Sequence, residues 1–274
     1  MIKHQIKSLS INCFSHLSHQ YNLVHFVSTR LGGFSLPPYT SLNLAFHVGD
    51  NPATVLKKRE LLAASLDIPL SNFVTAQQVH QANVTVIPGS MRGCGARDYH
   101  SAIPATDAMV TNTPNICLMI LTADCVPILL FDPIKKVIGV AHAGWKGTIN
   151  FIAQQVVKAM QEQFGSAPSD ILAGIGPSIG PCCYEVGSDV IMEFKSVMPA
   201  ALNLILKKNR NDKGHLNLWS ANKIQLIQSG VLEKNIEIAE LCTRCHAEIF
   251  YSARKDGIQT GRFGTGIMLE AVVK

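Results

Sequence analysis

The sequence predicts a mixed α+β layered fold, and three observations carry that prediction. Four apolar strand candidates follow one another over residues 107–111, 116–121, 126–131 and 136–142. A strongly amphipathic helix is expected next, over residues 148–164. Elsewhere strands and helices interleave irregularly, with adjacent strand runs, which argues against a regular βαβ winding.

Taken in order, residues 22–30 read as a strand running into the glycine turn at Gly32-Gly33. Residues 52–66 read as a helix that begins near Asp50. Residues 73–80 and 84–87 look like a strand pair, and residues 89–100, with Gly89, Gly93 and Gly95 close together, like a loop. Within the four-strand run, Asp132-Pro133 marks the turn between the third and fourth strands. The helix at 148–164 rests on Ile149, Ile152, Val156, Met160 and Phe164, which recur at three- and four-residue steps. Gly165 and Pro168 end it. A strand at 171–175 precedes the turn-rich segment Gly176 to Pro181, helices are expected near 188–197 and 218–229, and late strands at 236–241 and 266–273.

The bulk numbers set bounds. Of 274 residues, 47% are hydrophobic and 16% charged, which is globular composition with ample material for a core. The net charge of +5 comes from scattered basic residues, the densest being Lys207-Lys208-Asn209-Arg210 in a polar stretch. No basic stripe with interleaved aromatics is present, so nucleic acid is not an expected partner. The longest apolar run, 116–131, is broken by Thr122, Asp124 and Pro127, too interrupted to span a membrane. Residues 1–5 lead into mixed polar residues without the apolar core of an export signal, so a cytoplasmic location is expected. Eight cysteines in such a chain point to reduced thiols and ligands rather than to a disulfide frame.

Three residues dominate the chemistry. His80, Cys125 and His142 each end a short apolar run, and two imidazoles with one thiolate suit a zinc site whose fourth position stays open. The alternative is two core histidines and a buried free cysteine. Gly144, Lys146 and Gly147 follow His142 at a strand-to-helix junction where an anion would find backbone N–H groups and positive charge. The competing reading is an ordinary turn. Cys125, beside Asp124, reads as ligand, as nucleophile with His142 or His80 as base, or as packing. Arg254 and Arg262 suit bidentate contacts to phosphate or carboxylate, or else surface ion pairs. Cys242-Thr243-Arg244-Cys245-His246 matches the pattern of covalent haem attachment, but that chemistry needs export and is not expected here. A zinc knuckle pairing Cys242 and Cys245 with Cys182 and Cys183 is a weaker match to zinc spacing, because the latter two are adjacent.

An ordered series of segments resembles one family. It runs through Ser28 to Ser35, Ser41-Leu42-Asn43-Leu44, His47-Val48-Gly49-Asp50, Gln78-Val79-His80, Thr122 to Cys125 and Ala141 to Gly147. It continues through Gly176 to Val186, Cys242-Thr243, and Phe250-x-Ser252-x-Arg254 with Gly261-Arg262 behind. The chain is similar in these to the YfiH-like family, also called the laccase-domain or multicopper polyphenol oxidase family. The resemblance spans nearly the whole chain and implies one domain over residues 1–274. It implies a four-layer α/β/β/α sandwich with mixed sheets, similar to the catalytic domain of deamidating bacterial toxins. It implies zinc, or alternatively copper, on His80, Cys125 and His142. It implies phosphorolysis of adenosine, inosine, guanosine and methylthioadenosine to free base and ribose 1-phosphate, with some adenosine deamination.

On that reading Cys125, His142 and Asp124 are the candidate catalytic residues. Gly144, Lys146, Gly147, Arg59, Asn43, Arg254 and Arg262 are the candidates for substrate or phosphate. Three positions depart from the family pattern: Gln81 where glycine is frequent, Lys146 for arginine, and Ala253 for tyrosine. Rival readings are a cysteine amidohydrolase on a peptidoglycan precursor, with Cys125 as nucleophile and His142 as base, and a copper-dependent phenol oxidase. Ten scattered histidines without a His-x-His pair fit the latter poorly.

Overall fold

The computed structural model describes residues 1–209 and 212–271. One six-stranded sheet runs in the order β1 (Ile2–Ile6), β2 (Leu9–Cys13), β3 (Leu23–Ser28), β15 (Phe263–Leu269), β7 (Cys117–Thr122) and β4 (Phe73–Val74). The second runs β14 (Ile236–Ile238), β10 (Leu172–Ile175), β8 (Val126–Asp132), β9 (Val137–Ala143), β6 (Ala108–Thr111) and β5 (Val84–Val86). A small third sheet joins β11 (Glu185–Val186), β13 (Gly214–Leu216) and β12 (Leu206–Lys208). The helices are α1 (Ser15–Ser18), α2 (Pro52–Ser65), α3 (Trp145–Ile149), α4 (Ile152–Phe164), α5 (Ser188–Val197), α6 (Leu202–Ile205), α7 (Leu218–Gln228) and α8 (Ala253–Asp256). Among the described residues no helix is long and apolar enough to cross a membrane.

Strand alternation sorts the apolar side chains into three layers. On β7, Leu118 and Ile120 face the second sheet, whereas Cys117, Met119 and Leu121 pack with Leu62 and Ala63 of α2. On β8, Leu129 and Phe131 face the first sheet, whereas Ile128 and Leu130 pack with Val156 and Met160 of α4 and Leu226 of α7. Both sheets are thus covered on both sides, so their central strands read as continuous apolar runs rather than as alternating ones. The β8–β9 hairpin turns at Asp132, whose Oδ1 accepts the N–H groups of Ile134 (2.8 Å) and Lys135 (3.0 Å). Its register sets Val126 opposite Ala143 and Pro127 opposite His142.

Several expectations are corrected. Residues 73–80 and 84–87 do not pair: β4 lies parallel to β7 in the first sheet and β5 parallel to β6 in the second. The chain between them crosses from sheet to sheet. The helix expected at 148–164 is two helices, because Phe151 takes a left-handed conformation (φ 61°) between α3 and α4. The apolar stripe runs through that break, so periodicity does not reveal it. The last strand starts at Phe263 rather than at 266, with Gly264 and Gly266 inside it. A Cβ at 266 would lie 2.7 Å from the Phe26 ring, so glycine here marks close packing and not a strand end. Residues 272 and 273 of the expected strand, and Arg210 of the basic cluster, lie outside the described residues.

The helix α2 starts at Pro52 behind Asn51, whose Oδ1 accepts the Thr54 N–H at 3.1 Å. Asp50 is not part of it. Its Oδ2 accepts Ser35 Oγ (2.6 Å), Asn43 Nδ2 (3.0 Å) and the fully buried Lys58 Nζ (2.7 Å). Lys58 also donates to Ser35 Oγ. This knot ties α2 to the loop carrying Asn43 and His47. Removing one charge of a buried pair costs roughly 3–5 kcal/mol. Lys58→Met should therefore lower the unfolding free energy in urea by about that amount, and adding Asp50→Asn should restore part of it. Equal stability of Lys58→Met and the unmodified protein would show that the pair does not hold the loop.

Candidate active site

Two of the places where the chain crosses between the two large sheets end at one spot. The β4–β5 crossing carries His80, and the β7–β8 crossing carries Asp124 and Cys125. The hairpin register brings His142 and Gly144 alongside Cys125. The candidate ligand atoms of His80, Cys125 and His142 all lie within 4.8 Å of one another. The two imidazoles meet edge to face, with centroids 4.7 Å apart. His142 is buried, Cys125 partly exposed and His80 exposed, so the group opens to one side.

A residue the sequence reading passed over organises it. Asp107, fully buried at the start of β6, accepts His142 Nδ1 at 2.9 Å on Oδ1, together with the His80 N–H at 2.9 Å. Its Oδ2 accepts the N–H groups of Gln81 (2.8 Å) and Val79 (3.2 Å). The bond at Nδ1 fixes the His142 tautomer and leaves Nε2 for Cys125 or a metal. Burial pushes the Asp107 carboxyl up, but His142 and the N–H groups more than reverse this and hold it below the usual range. The one available signal is a lone acid heading a short, mostly apolar strand, which a fold must satisfy with donors. Gln78 anchors the same loop to the first sheet: Nε2 donates to Leu121 O, and Oε1 accepts the Leu121 N–H, each at 2.9 Å.

The electrostatics favour a thiolate. Burial pushes the Cys125 thiol up, but His142 and His80 outweigh it and bring it down to about 6. Burial likewise pushes the His142 imidazole down, while Cys125 and Asp107 raise it to about 9. A charged sulfur between two imidazoles is a metal-ligand set, or the front of a Cys–His–Asp array.

A cavity of about 570 Å³ opens over these residues. Arg254 and Arg262 stand in its wall with His47, and Leu121, Ile179 and Tyr184 give it apolar surface. Arg254 donates to Glu185 O (2.9 Å), and its guanidinium lies 5.1 Å from the centre of the Tyr184 ring. Arg262 Nη1 donates to Thr260 O (2.6 Å) and Gly261 O (3.0 Å). In the sequence Tyr184 and His47 stand inside longer motifs, with nothing local to single them out. Ala253 also lines the cavity, so Tyr184 supplies an aromatic face where position 253 has none.

The other candidates do different work. Asp124, at φ 87°, accepts Thr243 Oγ1 (2.6 Å) on one oxygen and the Arg254 N–H (2.7 Å) on the other, so both oxygens hold the cavity wall together. Asn43 is buried and accepts the Arg262 N–H at 2.9 Å, which positions Arg262 without facing the cavity. Arg59 is buried and donates to the carbonyls of Leu44 (2.7 Å), Ala96 (3.1 Å) and Gly95, so its guanidinium is committed to the scaffold. Lys146 is exposed over the Trp145 ring and does not line the cavity. The expected anion site would have to rest on α3, a helix of only five residues. Gly144 and Gly147 matter for packing: a Cβ at 144 would lie 2.9 Å from Cys125 Sγ, and one at 147 would lie 3.1 Å from Gln81 O.

Residues 24–270 match the family model described as multi-copper polyphenol oxidoreductase laccase. This chain belongs to that family. It is 41% identical over 235 residues to purine nucleoside phosphorylase YlmD of Bacillus subtilis (strain 168), covering 86% of this chain and 84% of that one. It is 38% identical over 229 residues to adenosine deaminase RL5 of an unknown prokaryotic organism, covering 84% and 87%. The crystal structure of YlmD from Geobacillus stearothermophilus superimposes with a TM-score of 0.93 at 35% identity, over 98% of each chain. The laccase-domain fold expected from the motifs is therefore the fold of this chain.

Supporting groups around metal ligands typically contribute 10–100-fold in affinity. Asp107→Asn keeps the shape of the side chain but weakens its hold on His142 and on the 79–81 backbone. If the three residues hold a metal, the substitution should weaken binding of an added divalent metal, with zinc as the probe, by about that factor in a chelator competition. Unchanged affinity would remove Asp107 from the site's support.

Proposed function

We propose that this chain is a purine nucleoside phosphorylase acting on adenosine, inosine, guanosine and methylthioadenosine, with adenosine deamination as a second activity of the same cavity. The observation that carries the reading is one cavity holding His80, Cys125 and His142 together with Arg254 and Arg262. Its volume of about 570 Å³ falls within the roughly 300–1,000 Å³ of small-molecule sites. Relatives named purine nucleoside phosphorylase and adenosine deaminase support it.

Two imidazoles and a thiolate with converging ligand atoms fit Zn²⁺ with an open position, and His142 is pre-oriented by Asp107. A zinc ion bound there would supply Lewis-acid stabilisation of developing negative charge. The same donors would also accept copper. Arg254 and Arg262 bind phosphate and aim one of its oxygens at the anomeric carbon of the ribose. A carbon–oxygen bond forms as the carbon–nitrogen bond to the purine breaks, and the base leaves with its electron pair and takes up the proton that the hydrogen phosphate gives up. Positive charge on the ribose in the transition state is met by the phosphate held beside it. Tyr184, Leu121 and Ile179 cover the purine face. Asp124 positions Arg254 through its backbone and is not the proton donor in this scheme.

Adenosine incubated with the enzyme should yield adenine and ribose 1-phosphate only when phosphate is present, and inosine with or without it. Base release that ignores phosphate would overturn phosphorolysis. Charge-assisted hydrogen bonds contribute about 1.5–3 kcal/mol, so Arg254→Ala should raise the KM for phosphate roughly tenfold or more. Deamination uses no phosphate and should change far less.

One observation favours a second reading. Cys125, His142 and Asp107 form a continuous nucleophile–base–acid array, as a cysteine amidohydrolase on a peptidoglycan precursor would need. Metal removal separates the two. Stripping zinc should abolish phosphorolysis and re-addition restore it, whereas amide hydrolysis by the metal-free protein, lost on thiol alkylation, would establish the second reading.

A further inference from the structure

Four cysteines outside the cavity converge on one point. Cys182 and Cys183 lie in the turn after β10, and Cys242 and Cys245 in the turn after β14. Their four sulfurs lie within 4.8 Å of one another. Cys245 Sγ is 3.6 Å from Cys182 Sγ and 3.4 Å from Cys183 Sγ. With zinc–sulfur bonds of ~2.3 Å, sulfurs at the corners of a tetrahedron stand ~3.8 Å apart. Two disulfides would need only pairwise approach, and a multi-iron cluster needs room for bridging sulfides that this spacing does not leave.

The backbone brings the thiols together without help. Ser178 forms a parallel bridge with Cys242, its N–H donating to Leu241 O (3.2 Å) and its carbonyl accepting the Thr243 N–H (3.0 Å). Cys183 and Tyr184 both donate to Gly180 O, and His215 Nδ1 lies 2.6 Å from Pro181 O. Donors also surround the sulfurs: the Gly180 N–H reaches Cys242 Sγ at 3.3 Å, and Arg244 Nη1 reaches Cys183 Sγ at 3.5 Å. N–H groups and a guanidinium aimed at sulfur suit thiolates carrying excess negative charge.

We propose that Cys182, Cys183, Cys242 and Cys245 hold a second zinc ion in a closed, four-thiolate structural site. Four thiolates leave no open position, so the site stabilises and does not catalyse. It fastens the segment leading to Tyr184 to the segment bearing Thr243, the residue that donates to Asp124. The ion therefore braces one wall of the cavity without touching its contents. The adjacent pair Cys182-Cys183 replaces the usual spaced pair because the turn at Gly180 points both residues at the facing loop.

The test uses the full chain purified without added metal. Cys125→Ala, which removes a ligand of the cavity site, should retain about one zinc per chain. X-ray absorption on that variant should show four sulfurs at ~2.3 Å. Cys182→Ser with Cys245→Ser should lose this zinc, keep the cavity metal and unfold at lower temperature. If the double variant does not fold, cobalt bound to Cys125→Ala should give the intense visible bands and thiolate charge transfer of a tetrahedral four-sulfur site. Zinc-free Cys125→Ala with these four thiols free, or joined as disulfides, would overturn the proposal. None of these readouts depends on turnover, so the result stands apart from the activity assigned to the cavity.

Discussion

The carboxylate of Asp107 is the constraint on which the site depends. It sits in the interior, where an ionised acid without donors would be costly, and it accepts three successive backbone N–H groups and one imidazole. Those donors come from a crossing loop and from the neighbouring strand β9. One buried charge therefore fixes where His80 stands, how His142 is turned, and how far the loop lies from the second sheet. Cys125 needs no such device, because the β8–β9 register already places it against Gly144. The three donors are held by sheet pairing and one acid rather than by a local sequence motif.

Around this centre the chain uses reactive-looking residues as scaffold. Asp124 joins two segments through its two oxygens, Asn43 joins Arg262 to the Asp50–Lys58 knot, and Arg59 is spent on carbonyls. Each satisfies buried backbone groups in irregular loops that no helix or sheet ladder can serve. Loops this irregular next to a cavity need such fastenings, so charge and hydrogen-bonding capacity near a site do not by themselves mark chemistry.

The elements most legible in the sequence were those whose burial is two-sided or periodic. The strands from 108 to 143 show as apolar runs because helices and sheets cover them on both faces, and α2 shows its start in Asn51-Pro52. What was hidden depended on long-range pairing. Nothing local tells that residues 73–74 and 84–86 join different sheets, or that Phe151 turns left-handed within an unbroken apolar stripe. His80, Cys125, His142, Arg254 and Arg262 could be singled out by residue type and motif. Asp107 could not, because its role is written in the donors it meets and not in its neighbours along the chain.

The chain has two tryptophans, and one of them, Trp219, stands beside the four-cysteine cluster. Trp145 follows Gly144 in the chain but has Lys146 over its ring and does not line the cavity. Trp219 packs at Gly180 next to Cys242 and donates its indole N–H to Ser178 Oγ at 2.6 Å. Thiolates alter indole emission at short range, so part of the intrinsic fluorescence of this protein is a local signal from the four-cysteine cluster. With Trp145 replaced by phenylalanine, the remaining emitter reports the state of that cluster in an unlabelled molecule.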